Sequence, residues 1–318
     1  MKKTVTKAVI FLIPLIAIVM LIDLASLTDA GDRILSKWFI SQNYRHVGSI
    51  QISPAIKSAQ AESTHTKIVL GDSMTNHVFN EFAYQNDDYL LLGTNLAVTL
   101  DGQYILTKLF LDAHPEATDV YLIMLPLSFA GRYDSPQSYS YLVEPFGRAE
   151  TLTLLSDETQ QGMKEYYGPL FLNKNVIRLI DGSSINNKLY LYYLQKQRQQ
   201  ADPDNEEIIS DEAAYYLKEI DKLCKTSGVT FHLLPPPVSD SAENADRISR
   251  LKEATAADPE LSALFKKYFD CITLYPKNMF PDGNHFGGEY ADPHIYSDCI
   301  DDLQKKSGEL NELKHEVE

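Results

Sequence analysis

The chain is 318 residues long, with 44% apolar and 23% charged residues, which excludes a disordered, collagenous or multi-spanning chain and predicts a real core. Its 44 acidic and 29 basic residues give a net charge of −15 at pH 7, with no basic run beyond the N-terminus. Nucleic acid is therefore disfavoured as a partner, and any anionic polymer has to be held by a local pocket against long-range repulsion.

Lys2, Lys3 and Lys7 precede an unbroken apolar run from Ala8 to Ile22, a membrane-targeting pattern. The run alone suits a signal-peptide core; continued past Asp23 to Leu27 it reaches the roughly 20 residues needed to span a bilayer. Thr28-Asp29-Ala30 is a poor cleavage site, so residues 1–30 are expected to be an uncleaved transmembrane helix, with secretion after cleavage as the alternative. Lysines before the run and Asp23, Asp29 and Asp32 after it place the N-terminus in the cytoplasm and the remainder outside. Residues 31–65, mixed and polar with a helix predicted around Asp32–Phe39, read as a stalk.

From Thr66 the pattern becomes regular. Lys67–Leu70 reads as a strand ending in Gly71-Asp72-Ser73, and Met74–Phe82 shows helical spacing at Met74, Val78, Phe79 and Phe82. Tyr89–Leu92 is a second strand, followed by Thr94-Asn95 and a helix from about Asp101. Asp119–Leu125 is a third, continuously apolar strand, as expected where helices cover both faces of a parallel sheet. The Tyr-rich stretch 130–210 reads as an insertion or lid, in which Tyr133, Tyr139, Tyr141, Tyr166 and Tyr167 could stack sugar rings or simply pack. Alternation resumes with a helix over Asp211–Thr226, closed by Gly228, and a strand Val229–Leu234 that ends in Pro235-Pro236-Pro237. Helices over Ala242–Ala257 and Pro259–Phe269 lead to a fifth strand, Cys271–Leu274. A loop with Asp282 and His285 precedes a last helix around Pro293–Leu313. The predicted fold over 66–318 is a three-layer α/β/α domain on a five-stranded parallel sheet.

In open parallel sheets ligands sit at the carboxyl ends of the strands, and three of those ends carry unusual polar residues: Asp72-Ser73, Thr94-Asn95 and Asp282-Gly283-Asn284-His285. Ser73, at a helix start after the bend at Gly71, is either an N-cap or a nucleophile. A serine nucleophile needs a base, and the base needs an acceptor that fixes its tautomer. Asp282 and His285, three apart on one loop, can supply both; a turn-forming Asp-Gly beside a solvated histidine is the plain alternative.

Gly71-Asp72-Ser73 near the start of an α/β domain, with Asp282-x-x-His285 near its end, resembles the SGNH (GDSL-type) hydrolase superfamily over roughly residues 66–305. The resemblance implies a flavodoxin-like sheet, acyl-ester chemistry and no cofactor, with Ser73 as nucleophile, His285 as general base and acid, and Asp282 as its orienting partner. It also implies an oxyanion hole built from the Ser73 N–H, a backbone N–H of the second block and an asparagine side chain of the third. This chain departs from that pattern twice. Leu100 stands where the second-block glycine belongs, with Gly102 nearby in another register. Leu125-Pro126-Leu127-Ser128-Phe129 replaces the third block, leaving Ser128 or Asn95 as substitute donor.

The Pro-x-Ser variant and the N-terminal anchor look like the branch of the superfamily acting on bacterial envelope polymers, which includes polysaccharide O-acetyltransferases, acetylesterases and teichoic-acid D-alanylation proteins. The function expected is ester hydrolysis or O-acyl transfer, most simply O-acetyl, on an acylated envelope carbohydrate, with envelope-polymer synthesis proteins as companions. An inactive polymer-binding or assembly subunit is the alternative. A metal site from Asp282, His285, Asp292 and His294 matches no named spacing. His77, His114 and His232 read as satisfied or solvated. Cys224, Cys271 and Cys299 read as small buried hydrophobes, with a Cys224–Cys271 bridge as the alternative.

Overall fold

The computed structural model describes residues 2–42, 47–80, 89–135, 137–171, 173–198, 207–287, 302, 305 and 306. Four parallel strands form the main sheet: β1 (Lys67–Gly71), β2 (Tyr89–Gly93), β3 (Asp119–Ile123) and β4 (Thr230–Leu234), in the order β2-β1-β3-β4. The order reverses between β1 and β3, which opens a crevice at their carboxyl ends. Gly71 aligns with Gly93 on one side and Ile123 on the other, so the segments leaving all three strands start from one rim.

The helices are α1 (Lys2–Ser26), α2 (Asp29–Gln42), α3 (Val47–Gln60), α4 (Ser73–Thr75), α5 (Thr99–Ala113), α6 (Glu144–Arg148), α7 (Asp157–Tyr167), α8 (Lys174–Asp181), α9 (Ser184–Arg198), α10 (Asp211–Thr226), α11 (Ala242–Ala256) and α12 (Pro259–Cys271). Because side chains alternate along a strand, Ile68, Leu70, Val120 and Leu122 face one core with Ile105, Phe110, Ile220 and Phe265 of the helices. Val69, Tyr121 and Ile123 face a second core with Met74, Val78, Phe79, Phe280 and Phe286. The sheet is covered on both faces, on the second by short segments. Burying one such side chain contributes about 1.5–3 kcal/mol.

Several expectations are corrected. The main sheet has four strands, not five. The fifth is displaced to Leu274–Pro276 (β6) and pairs in parallel with Val238–Asp240 (β5) in a separate two-stranded sheet. Pro235, Pro236 and Pro237 lack the N–H groups that would carry the ladder past β4, so the pairing restarts beyond them. Residues 31–65 are not a stalk throughout, because Ile52, Ala55, Ile56 and Ala59 of α3 are buried in the main core. Nor is 130–210 a detached lid: Phe146, Leu152, Met163, Tyr167 and Phe171 belong to the same core.

Among the described residues no single helix is both long and apolar enough to cross a membrane. Ile10–Ser26 and Asp29–Leu35 meet that length and composition only together, bent by 114°. The bend is held by the globular part. Arg178 pairs with Asp29 at 2.7 Å and Asp32 at 3.5 Å, Arg148 with Asp32, and Asn186 donates to Asp23 at 2.9 Å. Cys224 and Cys271 are both buried and no bridge joins them; burial pushes the Cys224 thiol up to about 12. Cys299, Asp292, His294 and most of the expected last helix lie outside the described residues.

Candidate active site

The turn after β1 is built around glycine and aspartate. Gly71 has φ +153, and a Cβ there would stand 1.8 Å from the Ile123 carbonyl oxygen, so only glycine lets β1 and β3 approach this closely. The N-cap of α4 is Asp72, not Ser73: its Oδ1 accepts from the N–H groups of Met74 at 3.0 Å and Thr75 at 3.4 Å. That leaves the Ser73 hydroxyl unclaimed by the helix, and it meets His285 instead, Oγ to Nε2 2.7 Å, across 212 positions of sequence.

The His285 ring is fixed from the other side. Its Nδ1 lies 2.7 Å from Asp282 Oδ2, while Asp282 Oδ1 accepts from the N–H groups of Asn284 at 2.9 Å and His285 at 2.8 Å. Gly283, at φ +86, permits this tight return of the chain onto its own carboxylate. Partial burial pushes the Asp282 carboxyl up, but the hydrogen bonds from the His285 N–H, the His285 ring and the Asn284 N–H outweigh it and hold the group down at about 2. Asp282 is thus ionised at neutral pH and is placed to accept an Nδ1 proton, an arrangement that would leave Nε2 as the acceptor facing the Ser73 hydroxyl.

Ser128, expected as an oxyanion donor, is committed elsewhere. It is buried, and its hydroxyl donates to Asp72 Oδ2 at 2.5 Å beside the Leu125 N–H at 2.7 Å. Burial pushes the Asp72 carboxyl up, and the donors Ser128, Leu125, Thr75 and Met74 act against that shift. Leu125 and Ser128 therefore brace the turn that carries Ser73. Asn95 lies two residues beyond Gly93 as Ser73 lies two beyond its partner Gly71, and its Oδ1 accepts from Ala97 N–H at 3.0 Å. That bond fixes the amide plane and leaves Nδ2 as its donor. Leu100 is buried in the first turn of α5, after Thr99 with φ 51, an unusual value for a β-branched residue.

One neighbour escaped sequence reasoning. The His77 ring, four residues after Ser73, lies 5.1 Å from the His285 ring, centroid to centroid; the i+4 spacing from Ser73 was the available signal. His232 and His114 are structural: His232 lies 2.8 Å from Asp119 and stacks on Tyr121, and His114 lies on Phe110 with Nε2 2.7 Å from Ser63 Oγ. The tyrosines are mainly packing. Tyr139 and Tyr167 are buried, the Tyr139 hydroxyl donating to Asp181 and that of Tyr167 to the Tyr133 carbonyl, while Tyr133, Tyr141 and Tyr166 lie against the main core.

Compared with family models, characterised proteins and solved structures, the chain matches none.

Proposed function

We propose that this protein is a serine-dependent esterase or O-acyltransferase of the SGNH type, acting on an acylated carbohydrate. The observation that carries the reading is the continuous chain Ser73 Oγ, His285 Nε2, His285 Nδ1, Asp282 Oδ2, with both links at 2.7 Å, at the carboxyl rim of a parallel sheet. In the proposed reaction Ser73 Oγ attacks the ester carbonyl carbon as its proton passes to His285 Nε2, and the imidazolium is stabilised by Asp282. The negative oxygen of the tetrahedral intermediate is bound by the Ser73 backbone N–H, with Asn95 Nδ2 as side-chain donor. His285 returns the proton to the departing alkoxide, leaving an acyl group on Ser73. Water or a sugar hydroxyl, deprotonated by His285, then takes the acyl group; these two acceptors separate hydrolase from transferase. An envelope polymer is the substrate setting we favour, with the exposed apolar side chains Ile10, Phe11, Ile16, Met20 and Leu24 of α1 meeting lipid.

The test is p-nitrophenyl acetate turnover by the full chain and by Ser73→Ala. The expected result is a fall of about 10³-fold or more for the variant. Equal rates, with circular dichroism showing both proteins folded, would eliminate the enzyme in favour of an inactive binding subunit. Acylated product on an added oligosaccharide, seen by mass spectrometry, identifies a transferase.

A further inference from the structure

On the Asp282 side of the triad a cleft of about 220 Å³ opens between the start of α11 and the turn 282–284. At roughly 30 Å³ per water it holds about seven waters, the scale of one sugar ring rather than of a chain. Its wall is rigid: Asn244 Nδ2 donates to Ser239 O at 3.0 Å and Ser239 Oγ at 2.8 Å, and the Ser239 hydroxyl donates to Gly283 O at 3.0 Å. The wall is thus bonded directly to the loop that carries His285.

The free groups facing this cleft are mainly donors. The Arg247 side chain is only 15% exposed, yet its one ion-pair contact among the described residues is a long one, 3.7 Å, to Glu243, which is 83% exposed. Lys277 and Asn284 line the same space, and Lys277 has no ion-pair partner among the described residues. The two carboxylates at the cleft differ in what they can oppose. Asp282 is occupied by the His285 ring and by two backbone N–H groups, and Glu243 stands at the rim in solvent. A guanidinium and an ammonium lining one cleft in a chain of net charge −15 select a ligand rich in acceptors, and a charged acceptor over a neutral one.

We propose that this cleft is the subsite for a sugar unit bearing a carboxylate, a uronate, with Arg247 and Lys277 binding the carboxylate. As a part of catalysis the proposal rests on the ester reading above; as a binding site it does not. With the uronate seated there, the ring it belongs to or its neighbour in the polymer presents its substituents to Ser73 and His285.

The experiment uses the full chain carrying Ser73→Ala, which binds without turnover, and two probes: an oligoglucuronate trisaccharide and its carboxyl-reduced counterpart. Dissociation constants are read by ligand-observed NMR. The acidic probe is expected to bind at least fivefold more tightly than the reduced one, and Arg247→Gln or Lys277→Gln to erase most of that difference. Lys277 is on the surface, so its variant keeps the test valid should Arg247→Gln fail to fold. Equal affinity for the two probes, binding of neither, or a preference that persists in both variants overturns the subsite. Because no ester is cleaved, these outcomes are independent of the p-nitrophenyl acetate result, which tests the ester reading alone.

Discussion

The hydroxyl of Ser128 donates to Asp72 Oδ2 at 2.5 Å, joining the loop after β3 to the residue just before Ser73. With Leu125 N–H on the same oxygen and two α4 amides on the other, the Asp72 carboxyl is a four-way brace for the turn that presents Ser73. Asp72 has no exposed surface, so each donor it loses leaves a buried carboxyl oxygen less satisfied.

Ser128→Ala is therefore expected to act on stability first, lowering unfolding free energy by about 1–3 kcal/mol with a loss of kcat under about tenfold. An oxyanion donor would show the opposite pattern, about 100- to 1000-fold in kcat. Chemical denaturation and steady-state esterase assays on the same preparation separate the two. A thousandfold loss of kcat at unchanged stability would return Ser128 to the oxyanion hole.

Asn95→Ser gives the complementary test. Serine retains an N-cap oxygen for Ala97 N–H but removes the amide donor, so kcat is expected to fall by about 100-fold or more with KM little changed. If Asn95 is only a cap, turnover stays near wild type.

Asp282→Asn leaves the loop's backbone acceptor in place but removes the charge that fixes the Nδ1 proton, and kcat should fall on the order of 10³- to 10⁴-fold. The carboxyl is held down at about 2, below the ordinary value of 3.8. Its ionisation thus contributes stability that is present above about pH 4 and disappears as pH falls toward 2. Thermal melts of wild type and Asp282→Asn between pH 2 and 5 should converge at the acid end, by a small amount because the side chain is 59% exposed. Parallel melting curves over that range contradict this.

How far the sequence could be read follows from what each feature depends on. Gly71-Asp72-Ser73 and Asp282-x-x-His285 were legible because tight turns and short loops encode their own geometry. The roles of Ser73 and Ser128 within that geometry were not, since whether an oxygen caps a helix, braces a carboxylate or meets an imidazole depends on neighbours fifty or two hundred positions away. The parallel strands β1 to β4 showed as apolar runs. The fifth was read at Cys271–Leu274, upstream of β6 and in the main sheet, because β6 is short, ends in proline and pairs beyond a triproline break with β5, which carries too short a run to be read. α3 looked like a stalk because its buried face, marked by Ile52, Ala55, Ile56 and Ala59 among the described side chains, is narrow, and Pro54 interrupts the pattern. Arg247 carried no sequence signal at all: its significance comes from facing the Asp282 turn.

Asp101 and Glu212 form a buried carboxyl pair between α5 and α10. Burial pushes both groups up; the charge and hydrogen bond of Asp101 push Glu212 further up, while the hydrogen bond with Glu212 acts against the shift at Asp101, so Glu212 is the member that holds the proton. Thr99 Oγ1 donates to Asp101, and Tyr133 N–H donates to Glu212 at 3.2 Å; Asp134 nearby adds further negative potential at Glu212. In the unfolded chain both carboxyls ionise near pH 4, whereas the folded pair keeps its proton to higher pH. Folding therefore loses stability as pH rises through the interval between those values. Replacing Glu212 by glutamine supplies a permanent donor without a titrating proton. Glu212→Gln is expected to raise the melting temperature at pH 8 relative to wild type and to change it little at pH 5, where wild type is already protonated. Differential scanning calorimetry at the two pH values reads this directly, and an equal shift at both would show that the pair does not share a proton in the folded protein.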